Sequence, residues 1–136
     1  MNSSLGHVQV NVAAANIPFY RDLASFLGWN TVHESEEMLG VAGSDGGASV
    51  WFIGAANGAQ NDYDGPGMNH LGIHVNQQAD VDAVANYLAE HNVQPLFETP
   101  RHRPDFVADE QSTYYQVMFE SPDRVLFEVV YAGPKQ

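Results

Sequence analysis

Two stretches of the chain share one alternation of polar and apolar residues. Residues 6–12 read Gly-His-Val-Gln-Val-Asn-Val, and residues 69–75 read Asn-His-Leu-Gly-Ile-His-Val. Such a period of two predicts strands with one buried face and one polar face. Aligning the stretches places His7 on His70, and each is followed by a helix-like segment and further strand-like runs. We therefore interpret the chain as two structural repeats.

The first repeat continues with one helix and three short strands. Residues 16–28 carry apolar side chains at helical spacing, with Asn16 as the expected N-cap and Gly28 as the stop. The apolar runs that follow predict strands over residues 29–33, 38–42 and 48–53.

The second repeat has the same order of elements. A helix is predicted from Asp80 to about Asn92, because its apolar residues line one face. Residues 99–113 lack apolar periodicity and have no counterpart of that length in the first repeat, so an inserted loop is predicted there. Strands are predicted on either side of it and after a turn at residues 121–124, over residues 93–98, 114–120 and 125–131.

The order of strand, helix and three strands, occurring twice, predicts an α+β fold of paired βαβββ modules in one domain over residues 1–136. The first module is expected over about residues 5–54 and the second over about 68–132. Residues 55–67, rich in Gly, Asn and Asp, form the expected connector.

Composition excludes several classes of function. The chain has no cysteine, which excludes thiolate metal sites and cysteine nucleophiles. Its 17 acidic and 5 basic residues give a net charge of −12, which argues against nucleic acid or an anionic membrane as partner. No signal peptide or membrane-spanning run is evident at the sequence level, so a soluble, cytoplasmic protein is expected.

Three polar side chains stand out against this background. Glu128 lies in the apolar run Val-Leu-Phe-Glu-Val-Val-Tyr, where an ionised carboxylate needs a partner. His7, His70 and Glu128 each fall on the parity opposite the main apolar residues of their strands. Two imidazoles and one carboxylate form a common ligand set for a catalytic divalent metal with open positions.

These stretches, together with Phe-Glu-Ser-Pro-Asp-Arg-Val-Leu-Phe-Glu before the end of the chain, resemble the vicinal oxygen chelate superfamily. That superfamily includes glyoxalases, fosfomycin-resistance transferases, extradiol dioxygenases and bleomycin-resistance proteins. The resemblance implies paired βαβββ modules that form a cleft-shaped mixed sheet. It also implies a metal held by His7, His70 and Glu128, the last placed six residues after Pro122.

The chain departs from the glyoxalase members in the first module. Matching the two turns places Trp51 opposite Glu128, and an indole cannot bind a metal ion. The resemblance then implies three protein ligands and a substrate that chelates the metal through two vicinal oxygens. The implied metal is Fe, Mn, Zn or Ni, and the reaction is lyase, isomerase, transferase or dioxygenase chemistry.

Further residues are expected around the metal. His74, two positions beyond His70, and Tyr114 are the candidate catalytic residues. Arg101 and Arg103 form a basic cluster that suggests capture of a carboxylate or phosphonate, with solvent exposure as the plainer interpretation. The expected substrate-binding set is Gln9, Asn11, Trp51, Arg101, Arg103 and Gln116.

The leading hypothesis is a metal-dependent enzyme that acts on a small molecule. The alternative is a metal-free protein of the bleomycin-resistance kind that sequesters a cationic small molecule, which the strong acidity of the chain would suit. A catalytically silent module is the third hypothesis. Members of this length commonly dimerise, so a homodimer is expected, and its cleft could lie within one chain or between two.

Overall fold

A computed structural model describes all 136 residues, which divide into two compact units, residues 1–60 and 61–136. In unit one, a strand is followed by a short 3₁₀ turn at Ala14–Asn16, a helix and three strands. These elements are β1 (His7–Asn11), α1 (Ile17–Phe26), β2 (Asn30–Glu34), β3 (Met38–Ala42) and β4 (Ser49–Ile53).

The sheet of unit one has the strand order β1-β4-β3-β2, with β1 parallel to β4 and the other pairs antiparallel. Helix α1 buries Ile17, Tyr20 and Leu23, and the ring of Tyr20 stacks on that of Phe52 with centroids 4.2 Å apart. The helix ends before Gly28, whose φ of +75° is the left-handed conformation expected of a stop signal.

Unit two repeats the pattern. Its elements are β5 (Leu71–His74), α2 (Gln78–Glu90), β6 (Leu96–His102), a 3₁₀ turn (Pro104–Phe106), β7 (Ser112–Glu120) and β8 (Leu126–Pro134).

The sheet of unit two has the order β5-β8-β7-β6, with β5 parallel to β8. Helix α2 covers one face of this sheet with Val81, Val84 and Leu88. Because side chains alternate along a strand, residues such as Val129 pack beneath the helix while Glu128 points to the opposite face. That opposite face carries the polar residues described below.

The structure confirms the predicted α+β fold of paired βαβββ modules, since both sheets have the same strand order. The parallel pairs also correspond: Trp51 lies opposite Gln9 in unit one, as Glu128 lies opposite Gly72 in unit two. Trp51 therefore occupies the position in unit one that Glu128 occupies in unit two.

Two predicted boundaries were wrong. Helix α2 begins at Gln78 rather than Asp80, because the side chain of Asp80 accepts a hydrogen bond from the backbone N–H of Gln77 in a capping box. Residues 99–113 are not one loop, because strand β6 runs through residues 99–102 and β7 begins at Ser112.

The prediction placed a strand over residues 93–98 but missed the second half of β6, because the register of this strand is irregular. Its pairing with β7 shifts between Leu96 and Arg101, and Phe97 and Glu98 have φ angles of 57° and 59°. Such a bulge destroys the alternation from which a strand is inferred. Thr99 holds the bulge, because its hydroxyl donates to Leu96 O (2.7 Å) and accepts from Met118 N–H (2.9 Å).

Neither helix is long and apolar enough to cross a membrane.

Thr99→Val should destabilise unit two. The side chain is 8% exposed, and valine keeps its shape but leaves the N–H of Met118 without its acceptor, a loss worth about 1–3 kcal/mol. Thr99→Ser, which keeps the hydroxyl, is the matched control and should lose less. Urea unfolding measures the difference, and equal stability of Thr99→Val and wild type would contradict this role.

Candidate functional site

A cavity of about 560 Å³ opens on the face of the unit-two sheet that α2 does not cover. Its volume lies within the range of small-molecule sites, about 300–1,000 Å³. The lining combines ionisable, amide and aromatic side chains and includes His70, Phe97, Arg101, Arg103, Phe106, Tyr114, Gln116, Met118 and Glu128.

Glu128 lies on the floor of this cavity and is only 6% exposed. The hydroxyl of Tyr114 donates to its Oε1 at 2.8 Å, and Nε2 of His70 lies 3.3 Å from its Oε2. Gly72 lies directly beside the carboxylate, and a Cβ at this residue would meet Oε2 at an ordinary contact distance of 3.4 Å. Tyr114 therefore provides the carboxylate with one hydrogen-bond partner, and the imidazole of His70 faces its other oxygen.

Asn69 determines which nitrogen of His70 carries a proton. The amide Nδ2 of Asn69 donates to the carbonyl of Tyr63 at 2.9 Å, so its Oδ1 is the atom that faces Nδ1 of His70 at 2.7 Å. An oxygen accepts only from a protonated nitrogen, so Nδ1 of His70 carries a proton. In the neutral imidazole, Nε2 therefore presents its lone pair to Glu128.

This arrangement suits a bound cation. A lone pair on His70 Nε2 and a carboxylate oxygen repel each other at 3.3 Å, and a proton or a metal ion shared between them removes the repulsion. Nitrogen and oxygen ligands at about 2.0–2.2 Å from one ion lie roughly 2.9–3.4 Å apart. The outward hydrogen bond from Nδ1 to Asn69 is the support that metal-binding histidines usually have.

The pair supplies two of the three predicted metal ligands. His7, the third, begins strand β1 in unit one, where its side chain is exposed. Neither unit by itself gathers three or more His, Cys, Asp or Glu side chains in an arrangement that could hold a metal ion.

The phenol of Tyr114 holds its proton tightly. Burial, the hydrogen bond to Glu128 and the negative charge of that carboxylate together raise the pKa of Tyr114 to about 12, and the charge of Arg103 partly opposes them. Tyr114 therefore remains a hydrogen-bond donor across the physiological range. It fixes the orientation of Glu128 and is a poor general base.

The wall opposite β5 is basic. Arg101 on β6 and Arg103 just after its end both line the cavity, and Gln116 on β7 is the cross-strand partner of Arg101. The guanidinium of Arg103 lies 4.3 Å from the ring centroid of Phe106, and this ring meets that of Tyr114 edge to face.

The structure divides the remaining predicted residues into two groups. Gln9, Asn11 and Trp51 lie with His7 on one face of the unit-one sheet, where Gln9 Nε2 donates to Asn11 Oδ1 at 2.9 Å. His74 is exposed on β5 and does not line the unit-two cavity.

Sequence analysis assigned no role to Asn69, Phe97 or Phe106. Asn69 directly precedes a proposed ligand, which is a usable signal, because metal-binding histidines commonly need a second hydrogen-bond partner. Phe97 and Phe106 fall in the irregular part of β6 and in the 3₁₀ turn after it, where no periodicity indicates the direction of a side chain.

A larger cavity of about 680 Å³ lies elsewhere in unit two and is lined by His102, Thr113, Lys135 and others. His102 belongs to it because its side chain alternates with those of Arg101 and Arg103; its Nδ1 pairs with the hydroxyl of Thr113 at 2.5 Å. The smaller cavity is the candidate functional site, because it contains the buried carboxylate and the imidazole that faces it.

The fold is shared with solved structures of low sequence identity. A candidate glyoxalase from Bacillus halodurans has a TM-score of 0.75 at 23% identity, covering 93% of this chain and 94% of that one. A glyoxalase/bleomycin resistance protein from Albidiferax ferrireducens T118 has a TM-score of 0.70 at 17% identity, covering 93% and 98%.

The fosfomycin resistance protein FosX from Listeria monocytogenes, complexed with Mn(II) and sulfate ion, has a TM-score of 0.65 at 17% identity, covering 96% of this chain and 91% of that one. A comparison with curated proteins gave no match. The profile of the Glyoxalase/Bleomycin resistance protein/Dioxygenase superfamily matches residues 4–129, almost the whole chain. The chain therefore belongs to this superfamily.

Proposed function

We propose that this protein is a metal-dependent enzyme of its superfamily that acts on a small molecule with two vicinal oxygens. The observation that carries the proposal is the buried carboxylate of Glu128, which faces Nε2 of His70 at 3.3 Å while Asn69 holds the proton of that ring on Nδ1. An arrangement of this kind is typical of a ligand pair with its supporting hydrogen bond.

His70 and Glu128 would hold the metal together with His7, from the same chain or from a second copy. The bound metal would supply a Lewis acid for an oxyanion or enolate, or, as iron, would activate oxygen. FosX was solved with Mn(II), which supports a divalent ion for this fold. Fe, Mn, Zn and Ni all accept imidazole and carboxylate ligands.

The other residues of the cavity have separate roles in this proposal. Tyr114 is a positioning residue, because its hydroxyl donates to Oε1 of Glu128 and leaves Oε2 directed at His70. Arg101, Arg103 and Gln116 bind the substrate on the opposite wall. His74 stays the predicted acid or base, and Gln9, Asn11 and Trp51 stay predicted substrate contacts.

The alternative is a metal-free protein that sequesters a cationic small molecule. The net charge of −12 favours it. The cavity itself does not, because two arginines line its wall and the one buried carboxylate already accepts a hydrogen bond from Tyr114.

From the sequence, we continue to expect a homodimer in the cytoplasm. Sedimentation tests the dimer, and a monomer would exclude a site shared between two chains.

Metal content tests the proposal directly. Protein purified without chelator and then incubated with Mn, Fe, Zn or Ni should retain about one ion per chain. His7→Asn, His70→Asn and Glu128→Gln should each weaken metal binding by at least about 100-fold. Removing a hydrogen-bond partner of a ligand costs up to about 100-fold in metal affinity, and removing the ligand itself should cost at least as much. Elemental mass spectrometry after dialysis measures the ratio.

The control is His91→Asn. This imidazole stacks on Tyr87, pairs with its carbonyl and does not line the cavity. Wild-type protein that retains no stoichiometric metal, or an equal loss in His91→Asn, would overturn the proposal.

The titration of Tyr114 tests the geometry around Glu128. A folded-state pKa raised from 10 to about 12 means that this phenol stabilises the fold fully below pH 10 and loses that contribution as pH rises toward 12. In metal-free protein, Glu128→Gln should lower the pKa of Tyr114 toward 10, because the carboxylate charge and the strong acceptor are removed.

Absorbance at about 295 nm follows the phenols, and Tyr114→Phe identifies the signal. Tyr115 is the internal control, since burial and Asp82 raise its pKa to about 12 independently of Glu128. A titration unchanged by Glu128→Gln would contradict the contact.

A further inference from the structure

We infer that the cavity wall formed by Arg101 and Gln116 is an oxyanion subsite, which binds the anionic end of a small molecule with an apolar body. The inference depends on the proposed function only where it identifies this small molecule as the substrate of the enzyme. The binding itself follows from two hydrogen-bond donors that have no partner in the chain.

Gln116 is the first of these donors. The side chain is 1% exposed and lines the cavity, and its Nε2 has no hydrogen-bond partner. Buried amides are nearly always paired, because a donor removed from water without an acceptor destabilises the fold. An unpaired amide at the wall of a cavity is therefore suited to an acceptor that enters the cavity.

Arg101 provides the second donor on the neighbouring strand. It is the cross-strand partner of Gln116, and its Nε is likewise buried and unpaired. The side chain as a whole is 42% exposed, and its Nη1 lies at a long distance, 3.6 Å, from Oε2 of Glu98. The guanidinium can therefore turn toward a ligand, and both unpaired N–H groups then serve one group of oxygen atoms.

Charge and shape define the class of ligand. Two N–H donors, one of them cationic, match a carboxylate or another oxyanion, and the positive charge of Arg103 lies on the same wall. Phe97 and Phe106 are 51% and 55% exposed beside it. Aromatic surface left in contact with solvent at the rim of a cavity suits an apolar or aromatic ligand body.

The subsite lies at a useful distance from the carboxylate. Gln116 pairs with Val130 and Met118 pairs with Glu128, so the two sites are two residues apart along the strands, about 7 Å. A small molecule held by its oxyanion at Gln116 could therefore present its other end to His70 and Glu128.

Calorimetric titration of EDTA-dialysed protein tests the subsite with three probes. Benzoate and phenylphosphonate present different oxyanions on one ring, and benzylammonium presents a cation on the same ring. Wild-type protein should bind at least one of the two anions saturably and more tightly than benzylammonium. Gln116→Met, which keeps the size of the side chain, and Arg101→Gln should each weaken anion binding roughly tenfold to a hundredfold.

Arg21→Gln is the control, because Arg21 has a similar exposure of 41%, pairs with Glu34 and belongs to unit one. It should bind the anions as wild type does. The thermal midpoint of Gln116→Met should equal or exceed that of wild type, because an unpaired buried donor has been removed, whereas a structural amide would give a lower midpoint.

Three results would overturn the inference: no saturable binding of either anion by wild type, equal anion binding by both cavity variants and wild type, or tighter binding of benzylammonium. If the protein binds the anions but retains no stoichiometric metal after incubation with the four ions, the proposed metal enzyme fails and the subsite stands. Stoichiometric metal without anion binding would do the reverse.

Discussion

The buried carboxylate of Glu128 is the constraint on which the account of this site depends. An ionised group that is 6% exposed is stable only when partners replace the water that it has lost. Tyr114 provides one hydrogen bond, and His70 faces the other oxygen. Strand register and two neighbouring side chains thus converge on one charged group.

A series of hydrogen bonds extends outward from Glu128 and determines how its neighbour His70 is oriented and protonated. Tyr63 orients the amide of Asn69, which in turn fixes the proton on Nδ1 of His70. None of these hydrogen bonds requires Nε2 of His70 to act as a donor. The lone pair of this nitrogen is therefore available to a cation. The opposite wall has the complementary chemistry, because Gln116 and Arg101 present donors without acceptors. One cavity therefore offers ligands to a cation at one end and donors to an anion at the other.

Much of this architecture could be predicted from sequence, because it follows from periodicity. Alternation in β1 and β5 gave the repeat, and the position of Glu128 within an apolar run indicated a buried charge. The second half of β6, after Glu98, could not be predicted, since positive φ at Phe97 and Glu98 interrupts the alternation of the strand. For the same reason the division of the basic cluster, with Arg101 and Arg103 on one side and His102 on the other, required coordinates. The position of Asn69 directly before His70 is a usable signal for a hydrogen-bond partner, but the orientation of its amide depends on the backbone carbonyl of Tyr63 and required coordinates.

Nitrogen NMR of histidine-labelled protein tests the central claim most directly, because it reports the proton on each ring nitrogen. As one equivalent of Zn²⁺ is added to metal-free protein, the Nε2 resonance of His70 should move to the position of a metal-bound nitrogen while Nδ1 remains protonated. The resonances of His91 and His102 should stay in place. Metal binding through Nδ1 of His70, or no response of that ring to the ion, would contradict the account.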